Sequence, residues 1–133
     1  MPSVEEPFVR AAEFLKKDPR VRAVWAFGSR SQGTARSDSD YDVAVLLDRE
    51  LPIMDECALA ADVTRAMGTP KVDVVFLFKA TPLLRREAVA RGKRLHPQDD
   101  VRIDDLEMRW LMEYFDTEHL RTVQDRLLRE IVQ

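Results

Sequence analysis

The sequence predicts an α+β fold: a small mixed β-sheet flanked by helices, followed by a C-terminal helical tail. Three observations carry this reading. Short apolar, β-rich runs, "VRAVWAF", "YDVAVLL" and "KVDVVFLF", alternate with stretches of helical spacing. Turn and cap residues (Pro19, Gly28-Ser29, Gly68, Pro82, Gly92) separate them. Beyond residue 100 the pattern is helical only. Strands alternating with helices indicate a sheet covered by helices. At 133 residues the chain reads as one domain, 1–133. Its core lies over about 20–96 and its C-terminal helical segment over about 101–133.

Each element has a local reason. Phe8, Ala11, Ala12 and Leu15 recur at helical spacing and predict a helix over 5–17, which Pro19 ends. Val21 to Phe27 is the first strand. Residues 30–39 are small and polar and read as a loop, and Tyr41 to Leu47 is the second strand. Met54, Cys57, Ala58 and Ala61 then mark the apolar face of a helix that Gly68 caps. On that reading Cys57 is a small core residue rather than a nucleophile. Lys71 to Phe78 is the third strand. Thr81 suits an N-cap, Pro82 the first helical position and Gly92 the stop, and "KRLH" follows as a short edge strand. From Val101 two stripes appear, Ile103-Leu106-Trp110-Tyr114 and Leu120-Val123-Leu127-Ile131, with a break expected at Asp116-Thr117. Trp110, Tyr114 and Phe115 read as core before they read as a partner face, and "RREAVARGKR" as a solvated helix face.

Composition narrows the function. With 21 Lys and Arg against 24 Asp and Glu, the net charge is −3, which argues against general nucleic-acid binding. A single cysteine excludes an internal disulfide framework. The first residues lack an apolar signal core, and no apolar run reaches membrane-spanning length. The expectation is a cytoplasmic protein with no membrane contact; a homo-oligomer stays open.

The chemistry lies in "GSRSQGTARSDSDYDVAVLL". Asp40 and Asp42, two apart in an extended chain, project to one face, roughly 7 Å apart, while Tyr41 and Val43 point to the core. Asp73 sits inside the third strand and joins them if the two strands are neighbours. Three carboxylates on one face repel unless one is protonated or a divalent cation neutralises them. Oxygen-only ligands favour Mg²⁺ or Mn²⁺. The two histidines, His96 and His119, lie far down the chain, which disfavours zinc. Carboxylates holding two magnesium ions serve phosphoryl and nucleotidyl transfer. Gly28 lets a phosphate approach the backbone, and the Ser29 hydroxyl and neighbouring N–H groups can donate to it. Arg30 and Arg36 are candidates for further phosphate contacts. An Asp-x-Asp alone is usually a solvated turn; the ordered conjunction with Gly-Ser and a later strand aspartate is far less common.

Phe27-Gly28-Ser29, a ten-residue spacer, Asp40-Tyr41-Asp42-Val43 and Asp73 resemble the signature of the DNA polymerase β-like nucleotidyltransferase superfamily. The short chain and the run "VDVVFL…LLRREAVARGKRLH" resemble the minimal nucleotidyltransferase (MNT) antitoxins paired with HEPN toxins. The resemblance implies a polymerase β-like fold over most of residues 20–96. Gly28 and Ser29 would hold the triphosphate of ATP. Asp40 and Asp42 would bind both magnesium ions, and Asp73 would bind the catalytic one and help activate the acceptor hydroxyl. It also implies transfer of AMP from ATP to a tyrosine of a HEPN ribonuclease partner, which silences it. One departure stands out: Gln32 occupies a position where many relatives carry arginine, so the resemblance does not carry over a phosphate contact from there.

Two other functions fit the same residues. One is adenylylation of a small molecule, as antibiotic-modifying relatives perform, although this chain shows no added acceptor domain. The other is a non-catalytic antitoxin that blocks its partner by contact, against which the full carboxylate trio weighs.

Overall fold

The computed structural model describes residues 5–31 and 39–132, the side chains of 116–118 and 132 excepted. Helix α1 (Glu6–Leu15) buries Phe8, Ala11 and Leu15. Against the predicted 5–17 it starts one residue later, with Glu5 extended as the N-cap, and ends two residues earlier, where the chain turns toward Asp18-Pro19. Strands β1 (Val21–Phe27) and β2 (Tyr41–Leu47) match their predicted bounds and pair antiparallel. Helix α2 (Ile53–Met67) ends on Gly68, whose φ of 75° places it in the left-handed region that glycine tolerates. Strand β3 (Val72–Phe76) returns parallel to β2 through the α2 crossover.

The predicted third strand over 71–78 is cut short by a 3₁₀ turn, Leu77–Lys79, which buries Leu77. Helix α3 (Pro82–Arg86) starts as expected: the Thr81 hydroxyl accepts from the Leu84 N–H at 3.3 Å. It widens into a π-helical turn, Glu87–Arg91, before the edge strand β4 (Lys93–His96) and the long helix α4 (Val101–Val132). The sheet order is β3-β2-β1-β4, with β4 antiparallel to β1.

The sheet is buried on both faces. On one, Val24, Ala26, Val43 and Val45 pack against α1 and α2. On the other, Ala23, Trp25, Ala44 and Leu46 pack against the turn after β3, the π-helical turn and the first half of α4. That second layer is pinned by polar contacts as well as apolar ones. The Trp25 indole N–H donates to Glu107 at 2.8 Å, and its ring meets Trp110 at 5.7 Å. Arg94 of β4 pairs with Asp104 and Glu107 of α4.

Three expectations are corrected here. The α2 face read as core, Met54-Cys57-Ala58-Ala61, is exposed, and Cys57 with it. The buried residues are Leu59, Val63 and Met67. Larger side chains at i, i+4, i+8 bury more apolar area than the small residues of the competing stripe. Helix α4 runs through Asp116-Thr117 without a break, since neither residue interrupts a helix as Gly or Pro would. Its first stripe grades outward, with Ile103 and Trp110 buried and Leu106 and Tyr114 half-buried; Phe115, read with Trp110 and Tyr114 as core, is exposed. Leu120, Leu127 and Ile131 are exposed too, because α4, about 48 Å long at 1.5 Å per residue, outreaches the sheet it packs on.

Candidate active site

The parallel register of β2 and β3 sets Tyr41 opposite Val72, Asp42 opposite Asp73 and Val43 opposite Val74. Paired residues on neighbouring strands project to the same face, with strands about 4.8 Å apart. Tyr41, Val43, Val72 and Val74 pack on the α1/α2 side. Asp42 and Asp73 therefore share the opposite face, at the end of the sheet where β2 begins. Asp73 is exposed, Asp42 is half-buried, and Asp40 is exposed just before β2.

The electrostatics reflect this crowding. The Asp42 pKa is pushed up to about 6, first by burial, then by the Asp73 charge and the Asp40 charge. Among the described residues, no three His, Cys, Asp or Glu side chains stand at the separation of a closed metal site. The carboxylates are neighbours, but mutual repulsion opposes their closing on a point without a counter-charge.

Gly28 follows β1, whose last residue, Phe27, pairs with Asp42. Its φ of 78° lies in the left-handed region. A Cβ there would fall on Asp42 Oδ2 and come within 3.0 Å of Asp42 Cγ. The glycine thus lets the turn run directly against the buried carboxylate. Ser29 is exposed in this turn. Ser31, which the sequence reading passed over, closes it: its buried hydroxyl donates to the Gly28 carbonyl at 2.9 Å. A small polar residue three positions after Gly28 was the only available signal.

Arg30 meets the chain on either side of Asp40. Its Nε donates to the Ser39 carbonyl at 3.0 Å, and its guanidinium lies 4.4 Å over the Tyr41 ring and 3.3 Å from Glu5. Tyr41 packs on the α1 side of the sheet, and these contacts hold the backbone that leads into β2. Arg36 lies outside the described residues, as do Gln32 and Asp38. Tyr41 is core-facing as predicted, edge-on to Phe8 at 5.3 Å.

The donor set fits a hard divalent cation. Its ligands would be carboxylate oxygens, and a cation would relieve the burial and like-charge repulsion that raise the Asp42 pKa.

Comparison with known proteins follows the same line. The polymerase beta nucleotidyltransferase family model matches residues 10–101. The chain is 37% identical over 84 residues to the protein adenylyltransferase MntA of Shewanella oneidensis, a match that spans 62% of this chain and 60% of that relative. It is 27% identical over 121 residues to MntA of Aphanizomenon flos-aquae, covering 84% of this chain and 81% of the relative. A chain from a toxin–antitoxin crystallised with AMP-PNP superposes with a TM-score of 0.69 at 25% identity, over 93% of this chain and 97% of that one. With a family model matched across the whole sheet and its carboxylates, this chain belongs to the polymerase beta nucleotidyltransferase family.

Proposed function

We propose that this protein is an adenylyltransferase that moves AMP from ATP to a tyrosine hydroxyl of a HEPN ribonuclease partner and so acts as its antitoxin. The observation that carries the reading is the direct pairing of Asp42 with Asp73 beside the Gly28 turn. Two features of relatives support it: the name of the Shewanella enzyme, and the AMP-PNP bound to the toxin–antitoxin that this chain resembles.

The roles follow from position. The Gly28-Ser29 turn receives the β- and γ-phosphates, with backbone N–H groups and the Ser29 hydroxyl as donors. Asp40, Asp42 and Asp73 would hold two magnesium ions. Bound there, magnesium supplies charge neutralisation for the triphosphate and lowers the pKa of the acceptor hydroxyl. Asp73, exposed within β3, faces the incoming acceptor and helps draw its proton. The tyrosine oxygen attacks the α-phosphorus, its bond to the β-phosphate oxygen breaks, and pyrophosphate leaves. Asp42, half-buried beside Gly28, would hold its metal oxygen close to the phosphate-binding turn.

The test is transfer itself. The protein, Mg²⁺, ATP and the HEPN protein from the neighbouring reading frame are mixed, and the partner is weighed by mass spectrometry. One or more AMP units on a partner tyrosine, lost in Asp40→Asn and Asp73→Asn, is the expected result. An unmodified partner that is still inhibited by all three proteins would establish a contact-only antitoxin instead.

A further inference from the structure

Asp40 has no regular strand partner of its own, because β2 begins one residue later, at Tyr41. A metal-binding carboxylate must nevertheless be held to within about half an ångström to act. Arg30 adds a side-chain constraint from the Gly28–Ser31 turn. Its Nε–H bonds the carbonyl of Ser39, the residue before Asp40, at 3.0 Å. Its guanidinium covers the ring of Tyr41, the residue after Asp40, at 4.4 Å. Glu5 meets the same guanidinium at 3.3 Å. The arginine side chain is only 13% exposed. Arg30 itself belongs to the turn that Ser31 closes onto Gly28.

We propose that Arg30 is a positioning residue that brackets Asp40 by its two chain neighbours and ties it to the Gly28–Ser31 turn. The proposal rests on the transferase reading for its kinetic consequence but not for its structural one. It gives one residue control over the distance between the phosphate-binding turn and the first carboxylate, although its side chain lies on the far face of the sheet. Lysine cannot replace it. A hydrogen bond along the guanidinium plane, a face laid on an aromatic ring and an ion pair all at once require the planar fork. The geometry separates this role from a direct phosphate contact, for which a lysine point charge would largely suffice.

The experiment compares Arg30→Lys, Arg30→Ala, Tyr41→Phe and Tyr41→Leu by two readouts. The first is AMP transfer to the HEPN partner. Both Arg30 variants should lose kcat by roughly tenfold to a hundredfold, as expected for a misplaced catalytic group, with KM for ATP within about twofold. Tyr41→Leu should repeat that loss and Tyr41→Phe should recover most of it. Combining Arg30→Lys with Tyr41→Leu should add little. The second readout needs no activity. The Tyr41 N–H donates to the Lys71 carbonyl at 2.8 Å, and its hydrogen exchange should quicken by about tenfold or more in Arg30→Lys while amides in the middle of β1 keep their rates. If the wild type transfers no AMP, the transferase reading fails and the exchange rates still decide the bracket. A KM raised with kcat intact, a fully active Arg30→Lys, or unchanged exchange at Tyr41 would each overturn it.

Discussion

Asp42 Oδ2 occupies the space that a side chain on Gly28 would need. Asp42 lies in β2 and Gly28 just past the end of β1, and they meet because Phe27 pairs with Asp42 in the β1/β2 ladder. Gly28→Ala therefore meets two obstacles, a clash with the carboxylate and a positive φ. The left-handed conformation alone costs an alanine about 1–2 kcal/mol. We expect loss of that order in urea unfolding and a fall of at least about a hundredfold in AMP transfer, since relief of the clash displaces Asp42. A Gly28→Ala protein that transfers AMP at the wild-type rate would refute the contact.

The raised pKa of Asp42 has a defined sign. The folded protein binds a proton that an unfolded aspartate, near 3.8, has already released. The stability this contributes is complete below about 3.8 and lost as pH rises through about 6. Asp42→Asn should thus be more stable than wild type at pH 7.5 by about 1 kcal/mol, once solvent screening of a half-exposed group is allowed for. At pH 4 the gain should vanish. Thermal unfolding at the two pH values measures it.

Asp73 contributes more to that shift than Asp40 does. Asp73→Asn should lower the Asp42 titration midpoint, and Asp40→Asn should lower it less. Carboxyl-carbon NMR titration of the three proteins resolves the order. Equal midpoints in all of them would mean that the paired register does not bring the charges together.

A divalent cation competes with the Asp42 proton for the same oxygens. Magnesium should raise the melting temperature at pH 7.5 by more than at pH 5, where the proton holds its place. The increment should disappear in an Asp42→Asn, Asp73→Asn double variant. Equal increments at both pH values would place magnesium elsewhere.

Among its described side chains, the buried residues of helix α4 lie in its first half. Trp110 is buried against Trp25, whereas Phe115 is exposed. Trp110→Ala should cost about 3–5 kcal/mol of stability, and Phe115→Ala should stay within about half a kcal/mol of wild type. Denaturant midpoints check both. Cys57 gives a related test: being exposed on α2, it should react with a thiol reagent in the native protein about as fast as in denaturant.

Much of this molecule was legible from local pattern. The bounds of β1 and β2 coincide with the predicted runs because alternation, glycine and aspartate mark strand ends within a few residues. Gly28, Asp40, Asp42 and Asp73 could be picked out because their types and spacing are the signal. What needed the tertiary structure was every choice between surfaces. The spacing of α2 allowed two stripes, and only the sheet beneath it selected Leu59, Val63 and Met67. Arg30 had two faces of the sheet within reach; Tyr41, Ser39 and Glu5 decided between them.

By itself, the sequence determined the α+β class, the strands and the identities of the acidic residues, since each depends on neighbours along the chain. The tertiary structure alone decided that Asp42 lies opposite Asp73. That pairing comes from the parallel return of β3 through α2, and a register shift of one residue would have turned Asp73 into the core.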